Sequence, residues 1–95
     1  MSSVVDSAVA ALNEKLGGGF DGVAKFVIED EGSIIVDSDG ARASDDEAEV
    51  TMSADAETFE AILSGDLNPT AAFMGGRLKV DGDMGLAMKL GGALS

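Results

Sequence analysis

The residues of this chain that could do chemistry are of few kinds: eighteen Asp and Glu, six Lys and Arg, and a scatter of Ser and Thr, with no histidine and no cysteine. Without histidine, the commonest general base near neutral pH and the commonest transition-metal ligand are both gone. Without cysteine there is neither a thiolate nucleophile nor a disulfide. Most zinc sites and most imidazole-based triads are thereby disposed of. Carboxylate pairs remain, but glycosidase chemistry needs two of them about 5 to 10 Å apart across a cleft, and spacing along the chain does not set that separation. "DSDG" at 37–40 resembles the start of a calcium loop. The EF-hand pattern places a third oxygen ligand and its glycine further on and needs a Glu six residues after that glycine, so a turn between strands is the better reading. "GGG" at 17–19 lacks the Lys and Ser/Thr of a phosphate-cradling loop and follows a helix, not a strand. These motifs lead us to expect no catalytic residue, no metal and no cofactor.

Charge narrows the partners. Residues 29–66 hold thirteen acids against Arg42 alone, while the flanking segments are nearly balanced, so the middle of the chain carries the net charge of -12. Such a surface repels nucleic acid and anionic membranes, which are held through Lys and Arg. The acidic middle reads as a solvated face. "MSSVVDSAVAALNEKL" lacks the basic start and unbroken apolar stretch of a signal peptide, and no segment has the roughly 20 apolar residues of a membrane span. One domain over residues 1–95 with a cytoplasmic location is the expectation, with a single modest core.

The elements that must position any site follow from periodicity. Val5, Val9, Leu12 and Leu16 draw one apolar stripe, which predicts a helix from about Ser3 to Leu16, ended by the triple glycine. From Phe20 the period becomes two: Ala24, Phe26 and Ile28 share one face of a strand, and Ile34 and Val36 one face of the next. "ARAS" predicts a short third strand and "EVTMS" a fourth, with Val50 and Met52 inward. Short turns between these strands predict antiparallel pairing of successive strands. "ADAETFEAILSG" is helical, with Phe59, Ile62 and Leu63 on one side and Gly65 as its stop. Asn68 and Pro69 form an N-cap and a first helical residue, opening a short helix through "PTAAFM". "RLKVD" predicts a fifth strand with Leu78 and Val80 inward and Arg77 and Lys79 outward, and Asp83 caps a last helix beginning "MGLAMKL". The predicted order is αββββααβα, an α+β fold in which a five-stranded, mainly antiparallel sheet is covered by helices on one face.

The last helix is apolar on two sides. Met84, Ala87 and Met88 make one stripe, and Leu86, Leu90 and Leu94 another. One stripe suffices to dock on a sheet; the second needs its own cover, whether a helix, a partner subunit or a bound apolar molecule. Met52, Met74, Met84 and Met88 are open to two readings: filler of gaps in the core, or the adaptable wall of a space for an apolar ligand.

"LNPTAAFMGGRLKVDGDMGLAMKL", residues 67–90, closely resembles the C-terminal signature of the sterol carrier protein 2 (SCP2) domain family, which follows the pattern N-P-x-x-A-F/x-x-G-x-L-K-x-x-G-D/N-M-x-x-A-M-K-L. The resemblance extends upstream through "AEVTMSADAETFEAILSGDLNP", so that it is dense over residues 48–90 and thinner elsewhere. It implies a curved five-stranded sheet covered by helices with an apolar tunnel between them, and broad binding of fatty acids, fatty acyl-CoA, phospholipids or sterols. Carried onto matching positions, it places Phe59, Leu63, Phe73, Met74, Met84, Ala87 and Met88 between sheet and helices, as core or tunnel lining. Arg77, Lys79 and Lys89 are the clustered cations that could meet an anionic headgroup. The closing "ALS" differs from the peroxisomal tripeptide of eukaryotic members, and the acidic charge differs from the basic membrane-active carriers, so a bacterial-type cytoplasmic member without stable membrane insertion is expected.

Non-enzymatic binding or carriage of an apolar lipid is therefore the leading expectation. The alternative is an interaction module that docks on a partner enzyme or a second copy through its C-terminal helix. An enzyme in its own right would have to work with carboxylates, lysines or hydroxyls alone.

Overall fold

The computed structural model describes residues 3–17 and 19–94, so the Gly18 of the expected helix stop and the terminal Ser95 lie outside the described residues. The order is α1 (Ser3–Leu16), β1 (Ala24–Ile28), β2 (Gly32–Asp37), β3 (Gly40–Ala43), β4 (Val50–Ala54), α2 (Ala56–Ser64), α3 (Pro69–Met74), β5 (Lys79–Gly82) and α4 (Met84–Leu94). This is the predicted αββββααβα order and α+β class.

Helix α1 buries Val5, Ala8 and Leu12, while Val9 and Leu16 flank the core at its margin. Gly17 takes φ +63° as its N–H bonds to the Asn13 carbonyl at 3.2 Å, a left-handed stop that costs glycine nothing. Asn13 does more than cap. Its side-chain Nδ2 donates to the Ala41 carbonyl at 3.0 Å, and its Oδ1 accepts from the Ala41 N–H at 2.8 Å. Both bonds tie α1 to β3, an edge strand whose backbone would otherwise be open to pairing with another chain.

The strand order is β3-β2-β1-β4-β5. β1 pairs antiparallel with β2, β2 with β3, and β4 with β5, but β1 and β4 pair in parallel. The expectation that successive strands pair antiparallel therefore fails between β3 and β4, which lie at separate places in the sheet. Residues 44–49 instead cross over β2 and β1 to bring β4 alongside β1. The crossing runs over the face opposite the helices: Lys25, which points away from Ala24 and Phe26, reaches Asp45 Oδ1 at 3.2 Å and the Asp45 carbonyl at 3.4 Å. It also explains why Ile35, facing away from Ile34 and Val36, is as buried as they are. The acidic "DDE" run is thus a strap across the sheet and not a hairpin loop.

On the other face Ala24, Phe26, Ile28, Ile34, Val36, Val50, Met52 and Ala54 form the floor of the core. Helix α2 lays Phe59 and Ile62 onto it, and the Phe59 ring meets Phe26 edge-on, centroids 4.9 Å apart at 84°. Asp55 begins α2 in extended backbone and its carboxylate accepts from the Thr58 N–H at 2.7 Å. Hydrogen bonds from Thr58, with the charge of Arg77 adding to them, hold the Asp55 carboxyl below its ordinary value of 3.8. A depressed carboxylate pKa contributes stability that is present above the unfolded value and is lost as pH falls through the folded one. Asp55→Asn keeps the capping oxygen without the titration. In acid unfolding curves followed by circular dichroism, this variant is expected to lose less stability than the wild type as pH drops below 3.8.

β5 begins at Lys79, so Arg77 lies in the bend before it and not on the strand as predicted. Gly82 closes the ladder opposite Val50 at φ +110°, where an added Cβ would stand 2.5 Å from the Glu49 carbonyl oxygen. Only glycine lets the two backbones approach there. That approach fixes where α4 starts, immediately after, with Asp83 Oδ1 accepting from the Leu86 N–H at 3.1 Å.

Candidate functional site

The helical layer does not close over the β5 side of the sheet. Between α3, α4 and strands β4 and β5 lies an apolar groove of about 370 Å³. Met52 from β4 and Val80 from β5, neighbours across the ladder, lie at its base with Leu78. Phe73 and Met74 of α3 form one wall, and Met84, Ala87 and Met88 of α4 the other. The wall residues are open to solvent: Met74 is 80% exposed, Met88 75%, Met84 44% and Phe73 41%, whereas Met52 is 2% exposed. An exposed cluster of this kind in a small domain marks a binding surface.

Both stripes of α4 find their places. Leu90 and Leu94 are fully buried with Leu86 at the margin of the core, and the Met84–Met88 stripe turns toward the groove. Ala87, 8% exposed, sits where the two faces meet. Opposite α4, Asn68 positions α3: its Oδ1 accepts from the Thr70 N–H at 2.8 Å and the Ala71 N–H at 3.3 Å, with Pro69 at the first helical position. Asn68, Pro69 and Thr70 then face Gly91 and Gly92 at one end of the groove. A Cβ on Gly91 would make ordinary contact with Pro69 at 3.6 Å, so the glycines leave this stretch of α4 as bare backbone.

Of the residues predicted from the sequence, Phe73, Met74, Met84, Ala87 and Met88 come together on this groove. Phe59 and Leu63 do not. They border a separate hollow of about 260 Å³ between α1 and α2, and Phe59, 1% exposed, is part of the core. The three cations are not one island. Lys89 Nζ lies 3.0 Å from Asp21 Oδ2 and 5.8 Å from the centre of the Phe20 ring, on the side of α4 that turns away from the groove. Arg77 precedes Leu78 in the bend beside the groove, close enough to Asp55 to act on its charge. Lys79 is exposed on β5, facing oppositely to Val80.

The sequence reading left Met52 open between core and wall, and it missed Leu78 and Val80 as groove residues, although their period-two placement on the inner face was visible. It also missed the Asn68–Thr70 end and the glycine doublet, for which the only signal was the capping motif itself.

Chemically the lining offers thioethers, an aromatic ring, aliphatic carbon and, at one end, an amide and a hydroxyl. No lining residue among those described carries a charge. Among the described residues no group of carboxylates is placed to hold a metal ion, and no helix is long and apolar enough to cross a membrane. The arrangement suits the burial of an apolar molecule whose polar end stays at the rim.

Comparison with known proteins agrees with this geometry. The SCP-2 sterol transfer family matches residues 6–95. Hydroxysteroid dehydrogenase-like protein 2 of Danio rerio is 56% identical over 43 residues, which cover 45% of this chain and 10% of that protein. Sterol carrier protein 2 of Homo sapiens is 47% identical over 47 residues, covering 50% of this chain and 9% of that one. The matched segments thus span about a tenth of these longer relatives. In structure the chain resembles sterol carrier protein 2 of Aedes aegypti, solved in complex with palmitate: the TM-score is 0.79 at 24% identity, over 100% of this chain and 97% of that one.

Proposed function

The chain belongs to the SCP-2 sterol transfer family, and we propose that it binds and carries an apolar lipid in the groove between α3 and α4, without catalysing a reaction. The observation that carries this reading is the groove itself, where Phe73, Met74, Met84 and Met88 are presented to solvent around a buried floor. Palmitate held by the Aedes aegypti neighbour supports it. Each methylene taken from water contributes about 0.8 kcal/mol, so ten give about 8 kcal/mol before the ligand's ordering cost. Such binding asks little of the headgroup, and breadth across fatty acids, acyl-CoA, phospholipids and sterols follows. A chain of methylenes lies along Met52, Met84 and Met88, and a negatively charged head is met by Arg77 in the bend beside the groove.

Native mass spectrometry of the purified protein, followed by titration with a fluorescent fatty acid and competition by sterol and acyl-CoA, tests the reading. Saturable one-to-one binding is expected; no saturable binding of any of the three would sink it. Arg77→Glu is expected to weaken acyl-CoA binding by about fivefold, the loss of one charge-assisted contact at an exposed rim, while Lys79→Glu, on the opposite face of β5, is the charge-matched control. If acyl-CoA binds the Arg77→Glu variant as tightly as the wild type, Arg77 does not contact the head.

A further inference from the structure

Methionine gathers at one place in this fold. The chain has five methionines and no cysteine. Met52, Met74, Met84 and Met88 all line the one groove. Their thioethers are therefore the soft, two-electron-oxidisable sulfurs of the described residues, and they are graded in access: Met74 at 80% and Met88 at 75% exposure, Met84 at 44%, Met52 at 2%. We propose that Met74 and Met88 are a modification site at which a hydroperoxide oxidises the thioether to the sulfoxide and so discharges the groove's ligand. The inference rests on the reading of the groove as a lipid site and adds its regulation.

The chemistry balances with the peroxide as sole oxidant. The thioether sulfur attacks one peroxide oxygen, an S–O bond forms as the O–O bond breaks, and the leaving oxygen takes a proton to become water or an alcohol. Methionine loses two electrons and the peroxide gains them. The product is a polar, chiral side chain with a strong acceptor oxygen in place of a flexible apolar one. In the empty groove both sulfoxides stand in solvent at little cost. Under a bound chain each oxygen loses its water, and the lining around it is mostly apolar, with side-chain donors confined to Asn68 and Thr70 at one end. Oxidation thus penalises the filled groove far more than the empty one. The same logic runs in reverse, since a bound chain covers the sulfurs and slows their oxidation.

The source of the hydroperoxide is either soluble or the ligand class itself, and the test separates them. The protein is treated with hydrogen peroxide or, in parallel, with a fatty acyl hydroperoxide at equal concentration. Peptide mapping by mass spectrometry follows each methionine, and the affinity for a fluorescent fatty acid is measured before and after. The expected order is Met74 and Met88 first, Met84 later and Met52 last, with affinity falling about tenfold or more as the first two convert and returning on treatment with methionine sulfoxide reductases. Faster conversion by the acyl hydroperoxide would assign the oxidant to the ligand class; equal or slower conversion would assign it to soluble peroxide. The Met74→Leu/Met88→Leu double variant, compared with its own untreated sample, is expected to show no change in affinity on the same treatment. Full conversion of Met74 and Met88 with affinity unchanged overturns the inference and leaves the lipid reading standing. Absence of lipid binding in the untreated protein overturns both.

Discussion

Placing two carboxylates in the groove by Met84→Glu and Met88→Glu is expected to weaken binding of an acyl probe by about 100-fold or more while leaving the fold intact. Both side chains lie on the wall of the groove, Met84 44% and Met88 75% exposed. Without a bound chain the new carboxylates are hydrated, and at position 84, in the first turn of α4, the helix N-terminus favours the negative charge. Under an acyl chain they must shed water with no lining cation to meet them, and a loss of about 100-fold corresponds to about 2.7 kcal/mol, well within the cost of desolvating charge. Net charge alone does not explain such a loss, and Lys15→Glu supplies the control. It shifts the charge by the same two units on the exposed face of α1. Affinity near wild type for the control and collapse for the groove variant is the expected pair of results; equal losses would assign the effect to the protein's overall field.

The second large effect concerns the partition between core and site. Phe59→Ala removes a ring that is 1% exposed and packed edge-on against Phe26. Truncating a buried Phe costs about 3–5 kcal/mol, against a total of about 5–15 kcal/mol for a domain. Urea unfolding is expected to show a stability loss of that size, read as a lowered midpoint with the slope unchanged. If Phe59 instead lined the ligand space, the variant would lose little stability and chiefly alter affinity. A variant with wild-type stability would contradict the placement of Phe59 in the core.

These two residue sets show what the sequence could and could not reveal. Periodicity located every helix and strand, because the stripe of Val5 and Leu12, the alternation of Ala24, Phe26 and Ile28, and the Asn68–Pro69 cap are local signals of local structure. The double stripe of α4 was also legible: one face is buried in the core and the other lines the groove. What periodicity cannot give is which strand neighbours which. An alternating strand reads the same whether its partner precedes it by one strand or three, so the crossover of residues 44–49 and the parallel β1–β4 pairing were hidden. The burial of Ile35 was the one clue, an apolar residue on the nominally polar face of β2 that needed a cover. The family resemblance pointed to residues that line the groove, but it grouped Phe59 and Leu63 with Met84 and Met88, because residues sharing the helix-covered side of a sheet look alike until packing divides them between two hollows. Lys89 was grouped with Arg77 and Lys79 by sequence nearness alone. A helix turns its side chains through about 100° per residue, and position 89 comes out on the opposite side from Met84 and Ala87, beside Asp21.

The central claim is that an apolar chain lies between α3 and α4, and methyl NMR of protein labelled at the methionine methyls tests it most directly. On titration with palmitate, the resonances of Met74, Met84 and Met88 are expected to shift together and to saturate at one equivalent, with Met52 on the floor responding alongside them. Saturable binding that leaves these methyls unmoved would place the lipid elsewhere, with the hollow beside Phe59 and Leu63 as the first alternative, and would contradict the account.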